Sequence, residues 1–260
     1  MNVMSAPRAV AVVGFKDAGK TQVVEAVVRE LTRRGHRVGT LKHTSMDHPL
    51  DTPGKDTWRH REAGSAASAI LTSEEAAIFL GHPMGVAEAA ERLGPIDILV
   101  LEGFRSLDAV PRILIPRSPE EVEALANGLE IAISGPDVEG LHIGVKSVPI
   151  ISLSRAGELA ELITSRAFPL LPGLNCGGCG YDRCGDLARA VLAGEAEVGR
   201  CVAHAGGAVQ LRVDGLGVAL NPFVQRVMRN VILGVIRTLK GIEEPRRVEV
   251  AFEVAGDEHG

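Results

Sequence analysis

Aromatic residues are scarce: Phe, Trp and Tyr together make up 3% of the 260 residues, although 45% are hydrophobic. A core is available, but it has to be built from Ala, Val, Leu and Ile. Positive charge is not in excess. The net charge is −5 and the sequence pI about 5.9, which excludes a nucleic-acid binder working by bulk electrostatics. No apolar run reaches the roughly 18 residues that a membrane span needs. The N-terminal stretch MNVMSAPRAVAVVGF lacks a signal-peptide cleavage pattern, which predicts a cytoplasmic protein. Cysteine is absent from residues 1–175, and all four cysteines lie between Cys176 and Cys201. In a reducing cytoplasm such a cluster predicts a metal site rather than disulfides.

The length suits one large domain, or a medium domain with an appendage. Up to residue 168, short apolar runs alternate with amphipathic segments. Ala9–Val13 is wholly apolar, as a buried parallel strand is. Thr21–Arg34 follows with Val23, Val24, Val27, Val28 and Leu31 at helical spacing, and Gly35 stands where a C-terminal cap belongs. Further strands are expected at Val38–Leu41, Ala67–Leu71, Ala77–Leu80, Ile96–Leu101, Ile113–Ile115, Leu129–Ile133 and Val148–Leu153. Helices are expected at Thr57–Ala63, Val86–Arg92 and Ala156–Arg166. This rhythm predicts an α/β domain over residues 1–168, a mostly parallel sheet with flanking helices.

Phe168–Asn175 holds two prolines and a glycine and marks the expected boundary. Residues 174–204 carry the cysteines. Residues 205–260 read as a small α+β unit of strand, strand, helix and strand. Val209–Val213 and Gly217–Leu220 flank Asp214-Gly215, a hairpin-turn signal. Asn221-Pro222 offers a helix cap and a first-turn proline. The helix then runs Phe223–Leu239 with Gly241 closing it. Its apolar stripe is expected to pack in a core, on the hairpin or on a second subunit of a homodimer. Val248, Val250, Phe252 and Val254 alternate as a last strand.

Gly14–Thr21 reads GFKDAGKT, which fits the phosphate-loop pattern G-x-x-x-x-G-K-[ST], preceded by a strand and followed by a helix. Gly14 and Gly19 let backbone N–H groups converge on phosphate oxygens without a Cβ in the way. The helix N-terminus adds its dipole. Lys20 is the expected partner of the terminal phosphates, and the Thr21 hydroxyl that of Mg²⁺. Asp17, Ala18 and Gln22 complete the expected nucleotide-binding stretch. Glu102 ends the apolar run Ile96–Leu101, on a neighbouring strand. A carboxylate there holds Mg²⁺ or orients the attacking water, so Lys20 and Glu102 are the expected catalytic pair. The usual residue is Asp, and the longer arm of Glu leaves direct against water-mediated contact open. No N-K-x-D guanine signature occurs, and the lysine directly after the first glycine of a GKGG-type loop is replaced by Phe15.

Lys42–Gly64 is polar, with His43, His48 and His60, Asp47, Asp51 and Asp56, and the only Trp, Trp58. It leaves the C-terminal end of the second strand, the sheet edge where ligands bind in such folds. It is expected to run into a helix capped by Asp56 or Thr57. Its spacings match no standard zinc site. The phosphate loop, the Lys42-His43 pair, PGKDTWRHREAG at Pro53–Gly64 and LVLEGF at Leu99–Phe104, in this order, resemble the MobB family of molybdopterin-guanine dinucleotide biosynthesis adaptor proteins. VPRILIPR at Val110–Arg117 and VPIISL at Val148–Leu153 extend the likeness, which covers about residues 8–166. The resemblance implies a GTP-binding P-loop protein that assists the nucleotidyltransferase joining GMP to molybdopterin, with weak hydrolysis of its own. It implies that Gly14, Gly19, Lys20 and Thr21 hold the phosphates and that Glu102 serves Mg²⁺. Asp51, Lys55, Asp56, Arg59, His60 and Arg61 become a partner-facing or pterin-facing surface.

Cys176, Cys179, Cys184 and Cys201 are spaced C-x2-C-x4-C-x16-C. Three thiolates on a glycine-rich loop and a fourth after a helix near Asp186–Ala193 suit a [4Fe–4S] cluster or tetrahedral Zn²⁺. Zinc ribbons more often pair two C-x2-C knuckles, which favours iron–sulfur. The stretch from Cys176 to Cys201 also resembles a small four-cysteine [4Fe–4S] domain of electron-transport and corrinoid-linked proteins, and that likeness implies a [4Fe–4S] cluster. The expected function is a GTP-binding adaptor in molybdenum-cofactor biosynthesis with a fused cluster domain. The alternatives are a nucleotide-driven electron-transfer protein and a redox-sensing binding module.

Overall fold

The structure, a computed structural model, describes residues 6–44, 49–136, 138, 148–203, 209, 211–213, 216–218, 220–240, 245 and 248–252. At its centre lies β1 (Arg8–Gly14), whose residues from Ala9 to Val13 are fully buried. A strand this apolar needs cover on both faces, and helices provide it. β5 (Ile98–Glu102) runs parallel to β1 on one side and β6 (Arg112–Ile115) on the other. β2 (Val38–Lys42) extends the sheet beyond β5, and β7 (Glu130–Ile133) extends it beyond β6. The order is β2-β5-β1-β6-β7, all parallel, with the short β8 (Phe168–Pro169) antiparallel to β1.

One face carries α1 (Lys20–Arg33) and α5 (Ala156–Arg166), which bury Val23, Val27, Leu31, Leu159 and Ile163 against Val10, Val12, Val100, Ile113 and Ile131. The other face packs Ala9, Ala11, Leu99, Leu101 and Leu114 under α4 (Pro119–Leu125), through Val122 and Leu125. Gly35 takes φ +88° just after α1, as its expected capping role requires. α3 (Val86–Arg92) and α5 have the limits expected from periodicity alone. Among the described residues no helix is long and apolar enough to cross a membrane.

β3 (Ala67–Leu71) and β4 (Ala76–Leu80) were expected from their apolar content, but they stand outside the parallel sheet. They pair only with each other, antiparallel. The link between them is too short for a parallel crossover, so a hairpin is the only pairing open to them. Ile70, Leu71 and Ile78 are exposed on it. α2 (Asp56–Glu62) packs beside β3, and Arg61 lies over the Phe79 ring of β4, 5.3 Å from its centroid. The α2 cap is Lys55, without a side-chain bond; neither Asp56 nor Thr57 caps. Thr57 instead donates to Asp51 Oδ1 at 3.1 Å.

Val148–Leu153 is not a full strand. Ile150 makes a single parallel bridge to Ile133. Pro149 has no N–H to continue a ladder, and a 3-10 turn begins at Leu153.

The cysteine-bearing segment shares a core with the sheet domain. Phe168 and Leu171 at the expected boundary are buried with Ala109 and Leu129 from the sheet side, and with Cys184, Leu187, Ala188 and Cys201. α6 (Cys184–Ala193) supplies most of that lobe.

Beyond it, β9 (Leu211–Val213) and β10 (Leu216–Val218) form the expected antiparallel pair. The turn between them, Asp214-Gly215, lies outside the described residues. α7 (Pro222–Ile236) starts as predicted: Asn221 Oδ1 accepts from Val224 N at 3.0 Å and Pro222 is its first residue. The expected core packing is not found, because no residue of α7 is fully buried. Val224, Met228, Ile232 and Ile236 are half-buried, whereas Phe223, Val227, Val231 and Val235 are exposed. Nor do Val248, Val250 and Phe252 form a strand, and Val250 and Phe252 are exposed. A strand needs a neighbour for its ladder, and these residues pair with none of the described residues; Val254 and Gly241 lie outside the described residues.

The fold predicts two contrasting substitutions. Ile113→Ala, at a fully buried sheet position, should cost about 3 kcal/mol. Ile78→Ala, on the exposed hairpin, should stay within about 0.5 kcal/mol. Urea midpoints of the two variants check both.

Candidate functional site

The loop from Gly14 to Thr21 joins β1 to α1 at the C-terminal edge of the sheet. Backbone crowding explains its glycines. A Cβ on Gly14 would stand 2.7 Å from the Ile115 carbonyl oxygen of the next strand. Gly19 has φ +87°, and a Cβ there would stand 2.6 Å from Pro136 Cδ. Asp17 is also left-handed at φ +61°, a conformation Asp tolerates better than most residues. Ala18 is buried and plugs the turn into the core, while Asp17 and Gln22 are exposed. The Lys20 ammonium folds back to the Phe15 carbonyl at 2.5 Å, inside the loop it would neutralise.

Thr21 and Glu102 meet across the strand tips: Thr21 Oγ1 donates to Glu102 Oε1 at 2.8 Å. The same oxygen accepts an ion pair from Lys42 Nζ at 3.0 Å. The register explains both contacts, because Glu102 stands opposite Val12 of β1 and Lys42 of β2. Glu102 is only 8% exposed, so without these donors its carboxylate would be costly to bury. In the sequence Lys42 is part of the Lys42-His43 pair, and nothing local marks its partner. The signal was its register, the last residue of a strand parallel to the one ending in Glu102.

Two further residues complete the rim. Arg105 lies over the Phe15 ring, 4.4 Å from its centroid. The His43 and Phe104 rings stand 5.4 Å apart. Burial pulls the Lys20 ammonium below the ordinary lysine range. Glu102 opposes that shift, and the like charges of Lys42 and Arg105 reinforce it.

Of the residues on the polar loop, Asp51 is buried and ties the loop to α2. Its carboxylate accepts from Thr52 N at 2.8 Å, from Thr57 Oγ1 and from Arg61 Nη2 at 3.1 Å. Lys55, Asp56, Arg59 and His60 are exposed. The loop is therefore split between an internal anchor, Asp51 with Arg61, and an outward polar surface. Asp47 and His48 lie outside the described residues.

None of the four cysteines forms a disulfide. Cys184 and Cys201 are buried in one apolar cluster, Cys179 packs against it, and Cys176 is exposed. Asn175, with φ +46°, donates its N–H toward Cys184 Sγ at 3.4 Å and accepts from Cys184 N at 2.8 Å. A Cβ on Gly178 would collide with Pro222 and Val202, at 2.6 and 2.8 Å, so the loop packs directly on Val202 and on the first residue of α7. Among the described residues no three His, Cys, Asp or Glu side chains already form a group that could hold a metal ion. The donor set fits an iron–sulfur cluster or zinc: four thiols, two of them shielded from water, with the Asn175 backbone N–H at Cys184. The phosphate loop likewise fits a nucleotide, and the Thr21–Glu102 oxygens fit Mg²⁺.

Comparison with known proteins matches this two-part layout. Residues 9–133 match the family model "Molybdopterin guanine dinucleotide synthesis protein B", MobB. A Bacillus subtilis protein named "Probable molybdopterin-guanine dinucleotide biosynthesis adapter protein" is 30% identical over 120 residues, 45% of this chain and 69% of that one. The chain belongs to the MobB family. A Methanocaldococcus jannaschii relative, "Putative molybdopterin-guanine dinucleotide biosynthesis adapter protein", is 28% identical over 250 residues. That alignment takes in 95% of this chain and 98% of the relative, so it runs on past the MobB portion. Residues 171–203 match a second family model, "Putative Fe-S cluster". The crystal structure of Bacillus subtilis MobB has a TM-score of 0.53 and 25% identity, covering 62% of this chain and 98% of that chain. The MobB fold thus accounts for the sheet domain, and the cysteine lobe is an addition to it.

The lowered Lys20 pKa gives a signed pH prediction. A bound phosphate favours the ammonium, so binding takes up a proton wherever the free site has lost one. Nucleotide affinity should therefore fall as pH rises through the lowered pKa of Lys20. Lys20→Arg, which stays charged, should abolish that fall whatever it costs in affinity. Titrations from about pH 7 to about pH 10 check this.

Proposed function

We propose that this MobB-family chain is a cytoplasmic GTP-binding adaptor in molybdopterin guanine dinucleotide formation, with weak GTPase activity and a [4Fe–4S] cluster in its C-terminal lobe. The observation that carries the nucleotide reading is the meeting of Thr21, Glu102 and Lys42 at the mouth of the phosphate loop. In this reading the backbone from Gly14 to Gly19 cradles the phosphates, with Asp17, Ala18 and Gln22 shaping the loop and first helical turn. Lys20 leaves the Phe15 carbonyl to neutralise the terminal phosphates. Thr21 and Glu102 would hold Mg²⁺, which would supply positive charge against that developing on the phosphates. Mg²⁺ would compete with Lys42 for Glu102 Oε1, the oxygen that meets both Thr21 and Lys42.

Cys176, Cys179, Cys184 and Cys201 are the residues that would hold the cluster, which would supply one-electron chemistry or a redox-sensitive brace. The partners are the molybdenum-cofactor nucleotidyltransferase and its molybdopterin-type ligand. The exposed Lys55, Asp56, Arg59 and His60 face them, on a helix anchored by Asp51 and Arg61. GTP as the nucleotide is supported by family membership, because Phe15 and the missing N-K-x-D leave the base unspecified by motif. The exposed row Phe223, Val227, Val231 and Val235 of α7 is the surface we assign to homodimer formation.

Calorimetric titration of the chain with GTP and ATP in Mg²⁺ tests this. GTP should bind at least about tenfold more tightly, a difference of about 1.4 kcal/mol, and Lys20→Ala should lose binding of both. Equal affinity or a preference for ATP would contradict the adaptor reading.

A further inference from the structure

One short segment touches both sites. It begins at Glu102, whose carboxylate faces Thr21 and Lys42, and ends at Ala109, buried in the cluster that contains Cys184 and Cys201. Its start is strained. Gly103 has φ +93° and Phe104, which carries a bulky side chain, has φ +45°; a left-handed non-glycine costs on the order of 1 kcal/mol or more. Gly103 is held by its N–H bond to Val12 O at 3.0 Å, and Phe104 by its ring contact with His43. Arg105 stacks on Phe15 of the phosphate loop. Leu107 N closes a turn on Phe104 O at 3.0 Å.

The far end is equally defined. Asp108 accepts from Arg183 Nη2 at 2.8 Å. Arg183 is the N-cap residue of α6, and Cys184 is the first residue of that helix. A Cβ on Gly185 would stand 2.6 Å from the Asp108 carbonyl oxygen, so the backbone of the segment lies directly on the first turn of α6. The buried Arg112 fixes the return, its guanidinium donating to the Leu107 and Leu125 carbonyls. A displacement at Glu102 thus has a continuous packed path to two of the four thiols.

We propose that Gly103–Ala109 couples the nucleotide site to the cysteine site, so that Mg²⁺·nucleotide changes the accessibility and cluster retention of Cys184 and Cys201. This rests on the nucleotide reading above and adds to it the regulation of the cysteine site. The initiating event is the loss of the Lys42–Glu102 ion pair when Mg²⁺ takes its place. The strained Gly103–Phe104 pair is the point that yields, and the Asp108–Arg183 contact passes the movement to the start of α6. Coupling of this kind is reciprocal in binding free energy, so loading the cysteines with iron and sulfide shifts nucleotide affinity by the factor by which nucleotide shifts cluster affinity.

The test uses the full chain in two forms. In the reduced, iron-free form, alkylation of Cys184 and Cys201 by N-ethylmaleimide is followed by mass spectrometry. In the iron-loaded form, release of iron to a chelator is followed by absorbance. Each is measured with and without saturating Mg²⁺·GTP and Mg²⁺·ATP, and binding is measured by calorimetry in the same samples. The expected result is a change of about fivefold or more in both rates. It should vanish in Arg183→Ala and in the milder Asp108→Asn, while both variants still bind nucleotide. Rates unchanged in a chain that binds nucleotide would overturn the coupling and leave the nucleotide reading standing. A change that persists in full in both variants would overturn the proposed route. A chain that binds neither nucleotide would overturn the nucleotide reading and the coupling with it.

Discussion

Glu102 closes the strand between the two halves of the nucleotide site, and it is a nearly buried carboxylate whose Oε1 meets two donors. A buried charge is tolerated only where partners replace water, and here the partners come from the phosphate loop, Thr21, and from the second strand, Lys42. The parallel register puts all three residues at one sheet edge without further adjustment. Everything downstream inherits that placement. The polar loop leaves from Lys42, α1 starts from Lys20, and the segment toward the cysteine lobe leaves from Glu102. The site is therefore a junction of three chain segments that meet at one carboxylate oxygen.

The cysteine lobe is not tethered by a linker. Its attachment is a shared apolar core of Ala109, Leu129, Phe168, Leu171, Leu187 and Ala188, supported by Arg183–Asp108 and by Arg189 Nη1 donating to the Asn127 carbonyl at 2.9 Å. Magnitudes decide which of these holds the lobe. An exposed ion pair contributes about 1 kcal/mol or less, whereas each fully buried Leu or Phe contributes about 1.5–3 kcal/mol. The apolar contacts thus fix the lobe, and the polar ones set its orientation. That division leaves Asp108–Arg183 free to act as a transmission contact without endangering the fold.

Much of this was legible in the sequence, for physical reasons. Ala9–Val13 could only be a strand covered on both faces. Glycines at 14 and 19 with Lys20 and Thr21 mark a phosphate loop because of the backbone crowding found at Ile115 and Pro136. Asn221-Pro222 announced α7 through capping chemistry that is local by nature. What sequence did not reveal is pairing. Ala67–Leu71 and Ala76–Leu80 have strand composition, and only their short link shows that they form a hairpin apart from the sheet. Val148–Leu153 reads as a strand, yet Pro149 reduces it to one bridge. Val248–Phe252 alternates correctly but finds no neighbour, and half of the α7 stripe stays exposed where core packing was expected. The Lys42 contact is hidden for the same reason, because it comes from register with Glu102 across two strands.

In the proposed function the Thr21–Glu102 pair is a divalent-cation site guarded by Lys42. Its most direct test is the dependence of nucleotide affinity on Mg²⁺ concentration in wild type and in Glu102→Gln, measured by calorimetry. Mg²⁺ should tighten binding in wild type, and Glu102→Gln should keep the Mg²⁺-free affinity but lose the Mg²⁺-dependent gain. An undiminished Mg²⁺ effect in Glu102→Gln would contradict it.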